Sequence, residues 1–192
     1  MKVFISGPMR GYENNNEEMF MACEKKLREY GFSVFNPAWL KYDSGWDRKD
    51  MLELDICAMN KCDAICHLPG WEKASGAILE DSYAQTNKYI DLEYEEDGHI
   101  YLVLRACSTR WDIEDIPNSN KRNKVKGWRY AFDKMTELDK WIEQTGEDWN
   151  EIAKLHYAKH HTRLSPDTLK MQALQYGILF GHHRGVEEER LK

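Results

Sequence analysis

One acidic residue of the sequence has a possible catalytic role. Glu80 ends the segment Gly76-Ala-Ile-Leu-Glu80, where the pattern changes from strand to helix. The helix dipole alone favours an acid in the first turns of a helix, so the position also has an ordinary explanation. The functional alternative is a nucleophile or a general base that faces a crevice. A second acid, Asp55, lies in the apolar helical pattern Glu53-Leu-Asp-Ile-Cys57, where exposed acids are common.

Three predicted strands are each followed by a loop with polar or glycine-rich character. The loops are Ser6-Gly-Pro-Met-Arg-Gly-Tyr12, Asn36-Pro-Ala-Trp39 and Pro69-Gly-Trp-Glu-Lys-Ala-Ser-Gly76. The first and third combine glycines, hydroxyls and cations, which suit an anionic ligand such as a phosphate near a helix N-terminus. Any one of them alone is more simply a turn. Their convergence on the carboxyl edge of a parallel sheet is the stronger argument for a site.

The elements that must position these residues alternate between strand and helix. Apolar runs predict strands over 2–6, 32–35 and 63–68, and helical periodicity predicts helices over 15–30, 47–60 and 75–86. Short connections in this order imply right-handed crossovers and a parallel sheet. The runs 89–94 and 99–104 flank Asp97-Gly98, which favours a hairpin with an antiparallel strand.

The C-terminal half has a different character. Residues 107–125 are polar and loop-like, a brief strand is predicted over 128–132, and helices over 134–144, 148–160 and 166–183. We therefore predict an α/β domain over 1–106 and a mostly helical extension over 107–192 that packs on it.

Composition and charge exclude some classes of protein. The formal net charge of −6 argues against general nucleic-acid binding, which needs a basic face. Five cysteines without a CxxC pair, and no apolar run of transmembrane length, predict a reduced cytoplasmic protein without a membrane partner. His156 and His160 have the spacing of two metal ligands, but a polar helix face is the better interpretation. We predict no metal and no cofactor.

Several motifs resemble the nucleoside 2-deoxyribosyltransferase-like superfamily, in particular its branch of small bacterial and phage proteins that begin with SGPM-x-G. The matching pieces are ISGPMRGYENNNEEMF at 5–20, FNPA at 35–38 and MLELDICAMNKCDAICHLPGWEKASGAILE at 51–80, followed by Ala84. The resemblance covers residues 1 to about 90. It implies a flavodoxin-like (Rossmann-like) fold with helices on both faces of the sheet, and an enzyme related to 2'-deoxynucleoside 5'-phosphate N-hydrolases.

The resemblance also implies roles for individual residues. Glu80 corresponds to the nucleophile that forms a glycosyl-enzyme intermediate with retention, and Asp55 to the acid that holds the sugar hydroxyls or the nucleophile. Ser75 stands beside Gly76 with Ala74 before it, so the phosphate grip of the hydrolases is shifted here or absent. Trp71 fills the site or stacks on a base. The implied substrate-binding residues are Ser6, Gly7, Met9, Arg10, Gly11, Tyr12, Asn36, Trp71, Lys73, Ser75 and Gly76.

Two functions from different classes follow. The first is cleavage or transfer of the N-glycosidic bond of a (deoxy)nucleoside or its 5′-monophosphate, in a homodimer or higher homo-oligomer. The alternative is a non-catalytic protein that binds or sequesters a nucleotide-derived ligand in the same pocket.

Overall fold

The computed structural model describes residues 1–40, 46–105, 109–116 and 124–175. The described strands form one sheet in the order β2-β1-β3-β4-β5-β6. The elements, in chain order, are β1 (Lys2–Ser6), α1 (Glu17–Glu29), β2 (Ser33–Phe35), α2 (Arg48–Met59), β3 (Ala64–His67), α3 (Ser75–Thr86), β4 (Ile90–Tyr94), β5 (Ile100–Leu104), β6 (Thr109–Asp112), α4 (Lys124–Thr145), α5 (Trp149–His160) and α6 (Pro166–Gln175).

The core of the sheet is parallel, as the alternation of strands and helices predicts. β1 pairs in parallel with β2 and β3, and β3 pairs in parallel with β4. β5 runs antiparallel to β4. Gly98 adopts the left-handed φ of 87° in the connecting turn, where a glycine is favoured. The predicted mixed α/β fold with an antiparallel hairpin is therefore confirmed.

Helices cover both faces of the parallel strands. On one face, Cys23 of α1 places its Sγ 3.7 Å from the Sγ of Cys66 in β3. On the other face, Phe4 and Ile65 of the sheet form a buried cluster with Met59 of α2 and Ala84 of α3. Side chains alternate along a strand, so the residues two positions after Phe4 and Ile65 face α2 and α3 as well. Those residues are Ser6 and His67, which are also register partners.

The strand predicted over 128–132 is wrong, because these residues belong to α4. The buried residues of this helix recur at helical spacing, and this amphipathic pattern outweighs the β-favouring aromatic residues. They are Trp128, Ala131, Phe132, Met135, Leu138 and Trp141. The predicted loop over 107–125 contains β6, and the last predicted helix is seen as α6 to Gln175. Residues 176–183 of that prediction lie outside the described residues.

The chain is divided into two compact units. The first contains Met1–Leu102 and Asn118–Arg129, and the second contains Val103–Pro117 and Tyr130–Lys192. Within the first unit, Arg129 Nη1 contacts Asp63 Oδ1 at 3.0 Å. Within the second unit, α5 packs against α6, and Ile152, Leu169 and Ala173 are buried. The predicted division into 1–106 and 107–192 stays a prediction.

Candidate functional site

Glu80 and Ser6 form the centre of the candidate site. Glu80 lies in the second turn of α3, on the side of the helix that faces the sheet, and it is only 7% exposed. Ser6 ends β1, and its Oγ donates a buried hydrogen bond of 2.6 Å to Glu80 Oε2. Glu80 has no ion pair with any of the described residues. The carboxyl group is therefore held against the carboxyl edge of the sheet and is not a solvated residue at a helix start.

Asp55 of α2 influences Glu80 electrostatically. Burial raises the pKa of Asp55 to about 7, and its buried Oδ1 has no hydrogen-bond partner among the described residues. Burial, and then the charge of Asp55, raise the pKa of Glu80 to about 8, although the Ser6 hydrogen bond acts in the opposite direction. The pair therefore retains a proton near neutral pH. Two carboxyl groups in this state can divide the roles of acid and base or nucleophile between them.

The loop after β1 approaches the loop after β3 closely. A Cβ atom at Gly7 would lie 2.7 Å from Leu68 Cβ and 2.9 Å from Leu68 Cδ1. A Cβ at Gly70 would lie 3.3 Å from Tyr12 Oη, so this hydroxyl rests over the third loop. The predicted convergence of the first and third loops is therefore present in the structure. Gly7 is required there for close approach.

Replacement of Gly7 by alanine should lower the free energy of unfolding by about 1–3 kcal/mol, because the new methyl group overlaps Leu68 near its backbone. Gly76→Ala is the matched control, since its Cβ would meet no atom within 4 Å and Gly76 lies in a helix. We expect this variant to be neutral or slightly stabilising. Thermal unfolding of both variants measures the difference, and equal midpoints would contradict the packing argument.

The remaining predicted residues of the first loop are more open. Met9 is half-buried, whereas Arg10, Gly11 and Tyr12 are exposed. Gly11 has a φ of 84°, a left-handed conformation that favours glycine. The start of the first loop is held by a hydrogen bond of 2.9 Å, which Asn16 Nδ2 donates to Pro8 O. The Arg10 side chain is thus available to a ligand at this edge.

The N-terminus of α3 carries Ser75, Gly76 and an arginine that sequence analysis missed. Arg48 Nη2 donates to Ser75 Oγ at 2.6 Å, which brings the start of α2 to the start of α3. The N-cap residue of α3, Ala74, provides no side-chain cap, and a Cβ atom at Gly76 would meet no atom of the described residues within 4 Å. Such a helix start can receive an anion. Lys73 is exposed in the short 3₁₀ turn that precedes it.

Trp71 contacts a group of ionisable residues that sequence analysis also missed. Its ring stacks on the imidazole of His67, with centroids 4.1 Å apart and planes inclined by 25°. His67 in turn lies beside Asp81 and Asp91, and these three side chains could hold a metal ion. The only sequence signal was the position of His67, which follows Ile65 by two residues on a buried strand. The predicted role of Trp71 in binding a base stays a prediction.

Asn36 has contacts within the protein. Its Oδ1 accepts from Ala38 N at 2.9 Å, and its Nδ2 donates to Glu24 Oε2 at 2.9 Å. These bonds attach the second loop to α1, and they give the amide a structural role. An open groove nearby is lined by Met21, Glu24, Lys25, Arg28, Glu29 and Trp39. Neither Glu80 nor Asp55 lines that groove.

The histidines of α5 contact protein groups. His160 Nε2 lies 2.7 Å from Glu137 Oε2, and His156 Nδ1 lies 3.0 Å from Thr162 O. Burial lowers the pKa of His156, although its contact with Thr162 acts in the opposite direction. These contacts agree with the interpretation of a polar helix face.

The fold and the site together define a flavodoxin-like α/β domain in which the buried Glu80 lies at the carboxyl edge of a parallel sheet and is influenced by the partly buried Asp55. Residues 1–90 match a family model described as a domain of unknown function, DUF4406. No curated protein matches the chain at a significant level. Among the helices of the described residues, none combines the length and the apolar character needed to cross a membrane.

Proposed function

We propose that the N-terminal domain cleaves or transfers the N-glycosidic bond of a (deoxy)nucleoside or its 5′-monophosphate. The observation that carries this proposal is the buried hydrogen bond between Ser6 and Glu80, together with the raised pKa values of Glu80 and of the partly buried Asp55. Perturbed pairs of this kind are more common at catalytic sites than elsewhere. The resemblance of residues 1 to about 90 to nucleoside 2-deoxyribosyltransferase-like proteins supports the same chemistry.

In the proposed reaction, the ionised Glu80 attacks the anomeric carbon while the bond to the base breaks. The departing base takes the bonding electrons, receives a proton from the protonated Asp55 or from water, and leaves a glycosyl ester of Glu80. Water or a second base then attacks the same carbon and releases Glu80, which gives overall retention. Positive charge that develops on the sugar favours the ionised form of Glu80 and so opposes the effect of burial. Asp55 holds the proton of the pair or a sugar hydroxyl.

The proposed substrate places its phosphate end near the start of α3. Arg10 and Lys73 are exposed cations of the two converging loops, and Arg48 already donates to Ser75 Oγ. The start of the helix adds a dipole that favours an anion. A 5′-monophosphate is therefore the preferred substrate of this proposal.

A homo-oligomer is also proposed. Leu54 of α2 and Ile78 and Leu79 of α3 are large apolar residues that are 38%, 42% and 46% exposed. Because α2 contacts α3, exposed apolar side chains on both helices are compatible with a protein interface on this face. The cytoplasmic location stays a prediction that rests on the cysteine pattern.

The alternative of a non-catalytic binder is supported by one feature of the same site. With a pKa raised to about 8, the Glu80 carboxyl group is mostly protonated at neutral pH and can donate a hydrogen bond. Such a group can recognise a ligand without reacting with it. Incubation with a panel of nucleosides and 5′-monophosphates, followed by chromatography, separates the two functions. Released free base supports the enzyme, whereas binding without release supports the alternative.

Arg10→Ala should raise KM for a 5′-monophosphate by about tenfold or more and leave the corresponding nucleoside almost unaffected, because the guanidinium is proposed to contact only the phosphate. Steady-state kinetics on both substrates measures this effect. Lys49→Ala is the matched control, since Lys49 is an exposed cation at the start of α2 whose partner is Glu53. An equal loss on both substrates would assign Arg10 to the sugar or to the fold of the loop.

A further inference from the structure

A second cluster of ionisable side chains lies on the same sheet face as Ser6, and the proposed glycosidase chemistry does not use it. His67 ends β3, Asp81 lies in α3, and Asp91 lies in β4. His67 Nε2 is 3.1 Å from Asp81 Oδ1 and 3.5 Å from Asp91 Oδ1. One ligand atom from each residue lies within 4.8 Å of the others. Three separate elements thus direct their polar atoms to one point.

The imidazole of this cluster is buried without a satisfactory hydrogen bond. The His67 side chain is fully buried, and the Asp91 side chain is 6% exposed. Despite the short distances, neither ring nitrogen of His67 makes a hydrogen bond of suitable geometry with a described residue. Buried polar atoms in this situation are rare and need an explanation. A further partner of Nε2 would provide one.

The spacing of the three atoms is that of ligands around a metal ion. When two ligand atoms each lie about 2.1 Å from an ion, they are about 3.0 Å apart at an octahedral angle and about 3.4 Å apart at a tetrahedral angle. The observed separations from His67 Nε2, 3.1 and 3.5 Å, fall close to these values. An ion between the three atoms would explain why His67 Nε2 lies this close to both carboxylates without a hydrogen bond of suitable direction to either.

The charge and the surroundings of the cluster favour the same partner. A cation is favourable beside the buried carboxylate of Asp91 and the partly buried carboxylate of Asp81. Gln85 Nε2 lies 3.3 Å from Asp81 Oδ1 and 3.5 Å from Asp91 Oδ2, so it can orient both carboxylates. The Asp81 side chain is 14% exposed and provides a route from solvent.

We propose that His67, Asp81 and Asp91 bind one divalent transition-metal ion through Nε2 and one oxygen of each carboxylate. Imidazole together with carboxylate oxygens suits Zn²⁺, Mn²⁺ or Fe²⁺ better than Mg²⁺ or Ca²⁺. The ion would fix the imidazole on which Trp71 stacks, and so it would hold the loop that leads to Glu80. The proposed site differs from the sequence-based prediction of no metal, and it does not depend on the proposed function.

The full chain, stripped with a chelator and then titrated with Zn²⁺ or with Mn²⁺ in a calorimeter, tests the proposal. One equivalent should bind to the wild-type chain, and the unfolding temperature should rise with the metal concentration. Asp91→Asn and Asp81→Asn keep the shape of each side chain while removing a ligand charge. Each should weaken binding by at least about tenfold, because loss of a ligand costs no less than loss of the residue that orients it.

A matched control distinguishes the proposed site from adventitious metal binding at the histidines of α5. The double variant His156→Asn, His160→Asn removes the neighbouring histidine pair of α5 and should still bind one equivalent of metal. Two results would overturn the proposal: no bound equivalent in the wild-type chain, or binding that survives both aspartate variants with unchanged affinity. If one aspartate variant does not fold, the other decides.

Discussion

Replacement of Glu80 by glutamine should reduce the release of free base by about three orders of magnitude or more, because the amide cannot form the glycosyl ester. The side chain keeps its size, and its Oε1 can still accept the hydrogen bond from Ser6 Oγ. The fold should therefore remain intact. Chromatography of the released base, together with circular dichroism, measures both quantities.

Two further variants sharpen this result. Glu72→Gln removes an exposed acid from the loop before α3 and should leave turnover unchanged. Ser6→Ala removes the hydroxyl group that donates to Glu80. It should reduce turnover less than Glu80→Gln does, because Ser6 only orients the nucleophile and does not itself react. A folded Glu80→Gln protein with unchanged turnover would reject Glu80 as the nucleophile and favour the binding alternative.

The stability of the Glu80→Gln variant relative to the wild-type protein should increase as the pH rises. The pKa of Glu80 is raised from 4.5 to about 8 in the folded chain, chiefly by burial. Between these two values the folded state binds more protons than the unfolded state, so the stability of the wild-type protein falls as the pH increases. Glutamine does not titrate. Relative to wild type, Glu80→Gln should therefore gain on the order of 2–4 kcal/mol between pH 5 and pH 8.

Denaturant unfolding at about pH 5, 6.5 and 8, a series that spans the window between the two pKa values, would measure this gain. Asp55→Asn should also gain stability relative to wild type as the pH rises. It removes the charge that helps to raise the pKa of Glu80, and it removes the carboxyl group of Asp55, whose own pKa is raised by burial. Glu53→Gln, on the exposed side of the same helix, should show no such trend. Parallel stability curves for wild type and Glu80→Gln would mean that Glu80 is not desolvated in solution.

Local patterns were sufficient to predict most of the first ninety residues. The strand Lys2–Ser6 and the helix Ser75–Thr86 have the predicted bounds, because an apolar run ends at Gly7-Pro8 and a helical period begins after a turn. The convergence of the first and third loops also followed from the parallel sheet. Glu80 became a candidate through its position where a strand pattern changes to a helix pattern, and the resemblance added the proposed roles of Glu80 and Asp55. Their burial and raised pKa values depend on packing, which the local pattern does not show.

The features that the sequence did not reveal depend on long-range contacts. Arg48 meets Ser75 across 27 residues, and no local period relates them. His67, Asp81 and Asp91 come from three elements, and only the sheet register and the helix phase bring them together. At 128–132 the short window favoured a strand, whereas the helical period of α4 becomes clear only over a longer stretch.

The pairing of Ser6 with His67 in the sheet has a consequence for the evolution of chain length. Glu80 contacts Ser6 of β1, and Asp81 contacts His67 of β3. Two consecutive residues of α3 therefore contact the ends of two adjacent strands. Each residue added to or removed from the first turns of α3, between Ser75 and Glu80, would rotate the following part of the helix by about 100° relative to its start. Such a change would move both acids away from their partners or displace the start of the helix. Insertions and deletions should therefore be excluded between Ser75 and Glu80, and should be tolerated better in the partly exposed loop that precedes this helix.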